Sequence, residues 1–232
     1  MLAYLPGARF EVRDGVTLWT SDTPLPLFNG VWGAPVDIDR IDGILDRFAG
    51  RPLVWFVPPP GAIDEELARR GLLVSRLPGM AVDLNDLRRA AVPAGVAVAA
   101  VDDVADLLEA ATRIAFTSNG FPEDAVSPVL QMLGRIEKRV QFQTFLATVD
   151  DEPAAASAVL VTGEVAGLFN VGTALRFRRR GLGALVSVAA LEAARSRGCR
   201  IGVLESSVEG EPLYRSLGFE EVCRITFATR PS

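Results

Sequence analysis

Hydrophobic and polar positions alternate in type along the second half of the chain. Val96–Val101 is a short apolar run of the kind a strand needs. Asp102 and Asp103 then open a stretch in which Val104, Leu107, Leu108, Ala111, Ile114 and Ala115 recur at spacings of three and four, the helical period. Thr117–Pro122 is a turn cluster, and a second helix is predicted over 123–138. Gln141–Val149 and Ala154–Val161 read as strands joined by a turn at Asp150-Asp151-Glu152-Pro153. A further turn at Thr162-Gly163-Glu164 leads into a strand over Val165–Gly172. A helix over Arg179–Arg197 is ended by Gly198. It is followed by a buried strand at Arg200–Leu204, a short helix holding Leu213, Tyr214 and Leu217, and a last strand over Phe219–Phe227. The predicted order is β-α-α-β-β-β-α-β-α-β, an α/β (α+β) fold with a mixed central sheet flanked by helices.

The first ninety residues are less regular. Strands are predicted over Val12–Thr20, Leu27–Trp32 and Leu53–Val57, helices over Asp37–Phe48 and Asp64–Arg70, and a hairpin over Leu72–Leu84. A shift of 147 residues, without a gap, lays Val54 on Ile201, Val57 on Leu204, Pro60 on Ser207, Leu67 on Tyr214 and Gly71-Leu72 on Gly218-Phe219. Both copies read strand, loop, short helix, glycine, then strand. The expectation is a division into residues 1–92, a degenerate partial copy, and residues 93–232, the complete domain.

Composition narrows the chemistry. The chain has 232 residues, 49% hydrophobic and 23% charged, which suits an ordinary folded protein. It has no histidine, so Ser-His-Asp and Cys-His nucleophile chemistry and histidine-ligated zinc are excluded. Two cysteines, Cys199 and Cys223, are too few for an all-thiolate metal site and read as reduced thiols, so no metal is expected. The net charge of −5 lacks the basic footprint of a nucleic-acid binder. No apolar run is long enough to span a membrane and the start does not resemble a signal peptide, so the expectation is a cytoplasmic protein without nucleic-acid or membrane partners.

The stretch Val171–Val186 runs from a strand end into a helix and contains Arg178-x-x-Gly181-x-Gly183. Glycines permit close backbone approach, and a helix start offers unpaired N–H groups and the positive end of its dipole, which together can cradle a pyrophosphate. Taken alone the run is also compatible with a solvated arginine face at 176–180 or with tight helix–strand packing. It is no P-loop, because no Gly-Lys-Ser/Thr follows, and Val186 occupies the third glycine position of a dinucleotide-binding fingerprint. Downstream lies Leu204–Phe219, with Ser207, Leu213-Tyr214 and Leu217-Gly218-Phe219.

Together the two stretches resemble the GNAT superfamily of acyl-CoA N-acyltransferases over roughly the last 135 residues. The resemblance implies acetyl-CoA (coenzyme A) as donor, direct transfer of the acetyl group to a primary amine, and a small-molecule or protein amine as partner. A homodimer is compatible with it. It also implies roles for particular residues. The backbone of Val171 and Thr173 would hold the pantetheine arm as an added strand would. Arg178, Arg179, Arg180, Gly181, Leu182, Gly183 and Ala184 would surround the pyrophosphate. Ser207 would contact the cofactor, and Tyr214 would protonate the leaving thiolate. Many family members carry a glutamate base on the fourth strand, but here that strand reads Ala166-Gly167-Leu168-Phe169-Asn170. Glu164 precedes it. Glu205 lies two residues before Ser207 and is expected on the same strand face, which makes it the preferred base. The alternative function is a non-catalytic acyl-CoA-binding or regulatory protein that keeps the cofactor loop. In the N-terminal segment Leu67 stands where Tyr214 does, so no cofactor is expected there. Trp32, Trp55 and Phe56 are expected in its core.

Overall fold

The computed structural model describes residues 2–35, 37–59, 61–136 and 141–230. Pro60 and Lys138, each part of an expectation above, lie outside them. The chain forms two compact units, one of residues 1–78, 131–136 and 223–232, the other of residues 79–130 and 137–222.

In the first unit β1 (Arg9–Arg13) and β2 (Val16–Thr20) form an antiparallel hairpin. The sequence suggested one strand here. Asp14 and Gly15 instead take φ of 51° and 84°, the paired left-handed conformation that reverses a two-residue hairpin. β3 (Gly30–Trp32) pairs antiparallel with β2 and parallel with β4 (Leu53–Val57). The helix expected over Asp37–Phe48 is broken into a 3₁₀ turn, α1 (Ile41–Leu45) and another 3₁₀ turn. After β4 come α2 (Asp64–Arg69) and β5 (Leu73–Asp83). β5 is one strand, not the expected hairpin. Its Pro78-Gly79 pair, which reads as a turn signal, lies within the strand, and Gly79 stands in ladder register with Glu205. The core of this unit joins Leu18, Val31, Trp55 and Ala228 on one sheet face to Ile41, Ile44, Phe48 and Leu67. Trp55 is in this core as expected, whereas Trp32 is 47% exposed.

The second unit contains β6 (Val96–Ala100), α3 (Ala105–Ser118), β7 (Phe142–Val149), β8 (Glu152–Thr162), β9 (Val165–Thr173), α5 (Leu182–Ser196), β10 (Ile201–Glu205) and α6 (Glu211–Ser216). Between α3 and β7 lies α4 (Val126–Arg135), and the chain ends in β11 (Glu220–Arg230). β6, β7, β8 and β9 pair antiparallel in sequence order, while β10 runs parallel to β9. The element order from β6 to β11 is the one the periodicity predicts, and the sheet is mixed and flanked by helices.

α5 is apolar nearly all round because it is buried nearly all round. Leu182, Leu185, Val186, Ala190, Leu191 and Ala194 are all below 10% exposed. Its buried hydroxyls are satisfied: Ser187 donates to the Gly183 carbonyl, and Ser157 of β8 donates to the Val186 carbonyl, both at 2.8 Å.

β5 and β11 each begin in one unit and end in the other. Gly79–Asp83 of β5 pair with β10, and Thr226–Arg230 of β11 pair with β4, both antiparallel. Under the 147-residue shift the bounds of α2 fall on those of α6, and the bounds of β5 on those of β11. Four backbone hydrogen bonds coincide as well. The N–H groups of Leu67, Arg70, Gly71 and Leu72 donate to Ile63, Leu67, Ala68 and Leu67. Those of Tyr214, Leu217, Gly218 and Phe219 donate to Gly210, Tyr214, Arg215 and Tyr214. Gly71 and Gly218 both take positive φ, 81° and 100°, which ends each helix in the left-handed conformation glycine tolerates best.

Candidate active site

The second unit contains an opening in its sheet. β9 and β10 are paired over only three residues, ending at Gly167↔Val203, although β9 continues to Thr173 and β10 to Glu205. The register of β9 against β8 slips by one residue between Ala156↔Gly172 and Ala158↔Phe169. The extra residue is a bulge at Asn170, whose φ of 53° lies in the left-handed region. A bulge bends its strand, and here it falls where β9 and β10 stop pairing. Nothing in the hydrophobic pattern of Phe169-Asn170-Val171 signalled it. The asparagine, a residue that enters left-handed backbone more readily than most, was the one available sign.

Beyond β9 the loop 174–181 leads to the start of α5. Arg179 and Gly181 take φ of 63° and 79°, so the helix cannot begin at Arg179 as expected and starts at Leu182. No side chain caps this helix. The first hydrogen bond from its turn is that of Leu185 to the Gly181 carbonyl, which leaves the N–H groups of Leu182, Gly183 and Ala184 at the positive end of the dipole. Gly183 is buried, and a Cβ there would stand 3.2 Å from Leu213 Cδ1 and 3.5 Å from Thr173 Oγ1. Its glycine therefore serves close packing as well as the cradle.

The arginines divide by task. Arg176 is paired with Glu152 and lies over the Phe177 ring, 4.9 Å from its centroid, and so behaves as a surface charge. Arg178 donates to the carbonyls of Thr173 and Ser118, both at 3.3 Å. Arg179 and Arg180 are exposed, and Arg180 also lies over the Phe177 ring, 5.4 Å from its centroid. Among the described residues, Arg178, Arg179 and Arg180 form no ion pair.

Glu205 and Tyr214 belong to opposite faces of the sheet. Gly202 and Leu204 of β10 point towards the side packed by α5, and the Tyr214 ring joins that same packing, edge-on to Phe219 at 5.9 Å. Glu205 alternates to the other face. Its side chain meets water on one side, yet protein crowds the carboxyl on the others, and this desolvation pushes its pKa up to about 7. Burial likewise pushes the Tyr214 hydroxyl up to about 12. No hydrogen bond among the described residues ties that hydroxyl down.

Ser207 does not share a strand face with Glu205, because β10 ends at Glu205. Ser207 lies in the turn before α6, where its hydroxyl accepts from the Gly210 N–H at 3.1 Å. Glu164 lies in the turn before β9, with its side chain 4.0 Å from Arg200. It is five residues before Phe169, roughly 16 Å along the strand, too far for a base at the opening. Cys199 is buried, which pushes its thiol up, and both cysteines are free.

The chain is thus an α/β protein whose mixed sheet opens beside an uncapped helix start, with Glu205 and Tyr214 on opposite faces of the sheet. Residues 83–203 match the Acetyltransferase (GNAT) domain family, more than half of the chain, and the chain belongs to that family. No curated protein matches it. Among solved structures, a GCN5-related N-acetyltransferase from Kribbella flavida is 27% identical with a TM-score of 0.75, over 97% of this chain and 90% of that one. An acetyltransferase of the GNAT family from Novosphingobium aromaticivorans DSM 12444, described as putative, is 18% identical with a TM-score of 0.61, over 94% and 88%. A tandem GNAT protein from the clavulanic acid biosynthesis pathway is 17% identical with a TM-score of 0.62, over 98% and 85%. The last two likenesses concern the fold.

Proposed function

We propose that the protein transfers an acetyl group from acetyl-CoA to a primary amine by direct attack. The observation that carries this reading is the opening between β9 and β10 beside the uncapped start of α5; Glu205 and Tyr214, on opposite faces of the sheet, are the groups assigned to it. The N–H groups of Leu182, Gly183 and Ala184, with Arg179 and Arg180, suit a pyrophosphate. The edge of β9 at Val171 and Thr173 suits an amide-bearing arm. The thioester supplies the activated acyl carbon. Glu205, with a pKa near neutrality, is matched to taking the proton from an ammonium so that a lone pair becomes available. Tyr214 is fully protonated at neutral pH and can donate to the departing sulfur from the other side. The burial that raises its pKa also raises that of a thiolate next to it. Cys199 takes no part, since it stands before the start of β10, away from the opening.

The same reading takes residues 1–92 as a worn copy of residues 93–232. Its support is the coincidence of α2 with α6 and β5 with β11, bond for bond at the helix ends, and the shared order of two antiparallel pairings followed by a parallel one. β3 has only three residues, and Leu67, fully buried, replaces Tyr214, so the copy retains neither a long diverging strand nor the phenol.

Calorimetry with coenzyme A, followed by acetyl transfer to a panel of amines, tests the function. Binding with turnover is expected. Binding without turnover on any amine would favour the non-catalytic reading, and no binding would remove the donor assignment.

A further inference from the structure

β1 is an edge strand. It pairs with β2 on one side and, among the described residues, with no strand on the other. The hairpin decides which backbone groups that edge presents. A two-residue turn closes on a hydrogen-bonded pair, here Arg13 and Val16, and such pairs alternate along an antiparallel ladder. Arg9, Glu11 and Arg13 therefore spend their backbone groups on β2. Phe10 and Val12 turn theirs outward, where no described residue meets them.

The order of pairings marks this as a position that takes a strand. Two antiparallel pairings followed by a parallel one run from β1 to β4, and again from β7 to β10. In the second series the strand corresponding to β1 is β7, and β6 lies antiparallel along it from Val96 to Ala100. In the first series the same place is open among the described residues.

The side chains say what fits there. Phe10 and Val12 share one face and are 48% and 80% exposed. The other face alternates in sign as Arg9, Glu11, Arg13. Arg9 is exposed and forms no ion pair among the described residues, and Glu11, 2.6 Å from Arg47, still has 40% of its side chain in solvent. Charges of one sign along an edge repel a second strand, whereas alternating charges select its register. Two copies can pair antiparallel only where outward residues meet outward residues. A two-fold axis at Glu11 sets Glu11 against its own copy and Arg9 against the partner's Arg13. An axis at Val12 runs Phe10 into the partner's Asp14, which lies in the turn. An axis at Phe10 avoids both faults. It stacks Phe10 on its copy and twice sets Arg9 opposite the partner's Glu11, at the non-hydrogen-bonded positions where side chains stand closest.

We propose that β1 is a dimer interface, along which a second copy of this chain adds antiparallel about a two-fold axis at Phe10. The outward N–H and C=O groups of Phe10 and Val12 hold the two strands together, and the Arg9–Glu11 pairs fix the register. The interface does not depend on the chemistry of the second unit.

The test measures the mass of full-length variants by size-exclusion chromatography with light scattering over a range of concentrations, with Tm recorded. The wild type is expected to dimerise. Phe10→Pro removes an outward N–H that β2 does not use, a place where an edge strand tolerates proline, and should be monomeric. Arg9→Glu and Glu11→Arg each set like charges opposite one another at both contacts, and each should raise the dissociation constant roughly tenfold or more. Mixed in equal amounts, these two variants present opposite charges at both contacts and should recover a dimer. If Phe10→Pro proves to have a lowered Tm, the two charge variants, altered only at solvent-facing side chains, decide the matter alone. A wild type that is monomeric throughout overturns the proposal. So does a folded Phe10→Pro protein that still dimerises, or a mixture that associates no better than either charge variant by itself.

Discussion

Glu205 is an acid whose protein environment favours its neutral form, and this has two measurable consequences. As a base it acts only when ionised, so the wild-type rate should climb between about pH 6 and pH 8, through its pKa of about 7. Glu205→Gln should lower the rate at neutral pH and flatten that limb, with partial recovery at higher pH where free amine is abundant. A profile that matches the wild type would remove Glu205 from the reaction. The second consequence concerns stability. Between the ordinary value of 4.5 and about 7 the folded protein holds a proton that the unfolded chain has released, so stability falls as pH rises through that window and stays lower above it. Glu205→Gln should therefore raise Tm at pH 8 and leave it near the wild-type value at pH 4.5, and a gap of equal size at both would contradict the shift. Tyr214→Phe keeps the ring against Phe219 and removes only the hydroxyl. It should lower kcat by about 10² to 10⁴ with coenzyme A affinity unchanged, whereas intact activity would reduce Tyr214 to a packing residue.

At the scale of elements, the start of α5 and the loop before it form the cradle. Arg180 is exposed and forms no ion pair among the described residues, and its one ring contact, with Phe177, is one that Arg176 also makes, so reversing its charge tests the cradle, with Tm checking the packing of Phe177. Arg180→Glu should weaken coenzyme A by about tenfold and reduce the salt dependence of binding; calorimetry at two ionic strengths measures both. Substitutions at Gly183 are less informative, because Leu213 and Thr173 stand against any added side chain. The sequence made α3, α5 and β7–β10 legible through strong periodicity and turn signals, and the Arg178-x-x-Gly181-x-Gly183 run marked the cradle. Three features were not legible, each for a physical reason. The bulge at Asn170 follows from one residue's backbone angle, which hydrophobic patterning does not encode. Pro78-Gly79 carries turn chemistry but lies in a strand, because pairing with β10 outweighs local preference. The elevated pKa of Glu205 depends on which atoms crowd its carboxyl, and that is decided by residues distant in sequence.

For the whole molecule, the exchange of final strands dictates what division of the chain should do. A fragment of residues 1–92 keeps β4 but loses the β11 segment that pairs with it, and a fragment of residues 93–232 keeps β10 but loses Gly79–Asp83. Each would expose an unpaired strand edge. Both fragments alone should be insoluble, and co-expression should recover a soluble, coenzyme A-binding pair. Two independently soluble fragments in size-exclusion chromatography would show that the exchanged strands are dispensable.

In the proposed reaction an acetyl group would pass to an amine at the opening between β9 and β10, with Glu205 and Tyr214 moving the protons. The most direct measurement follows an isotopically labelled acetyl group from acetyl-CoA into a panel of amines by mass spectrometry, with the wild type and Tyr214→Phe side by side. Labelled amide product that depends on the protein and drops sharply in the variant is expected. Labelled product formed equally by both proteins, or tight coenzyme A binding with no label on any amine, would contradict it.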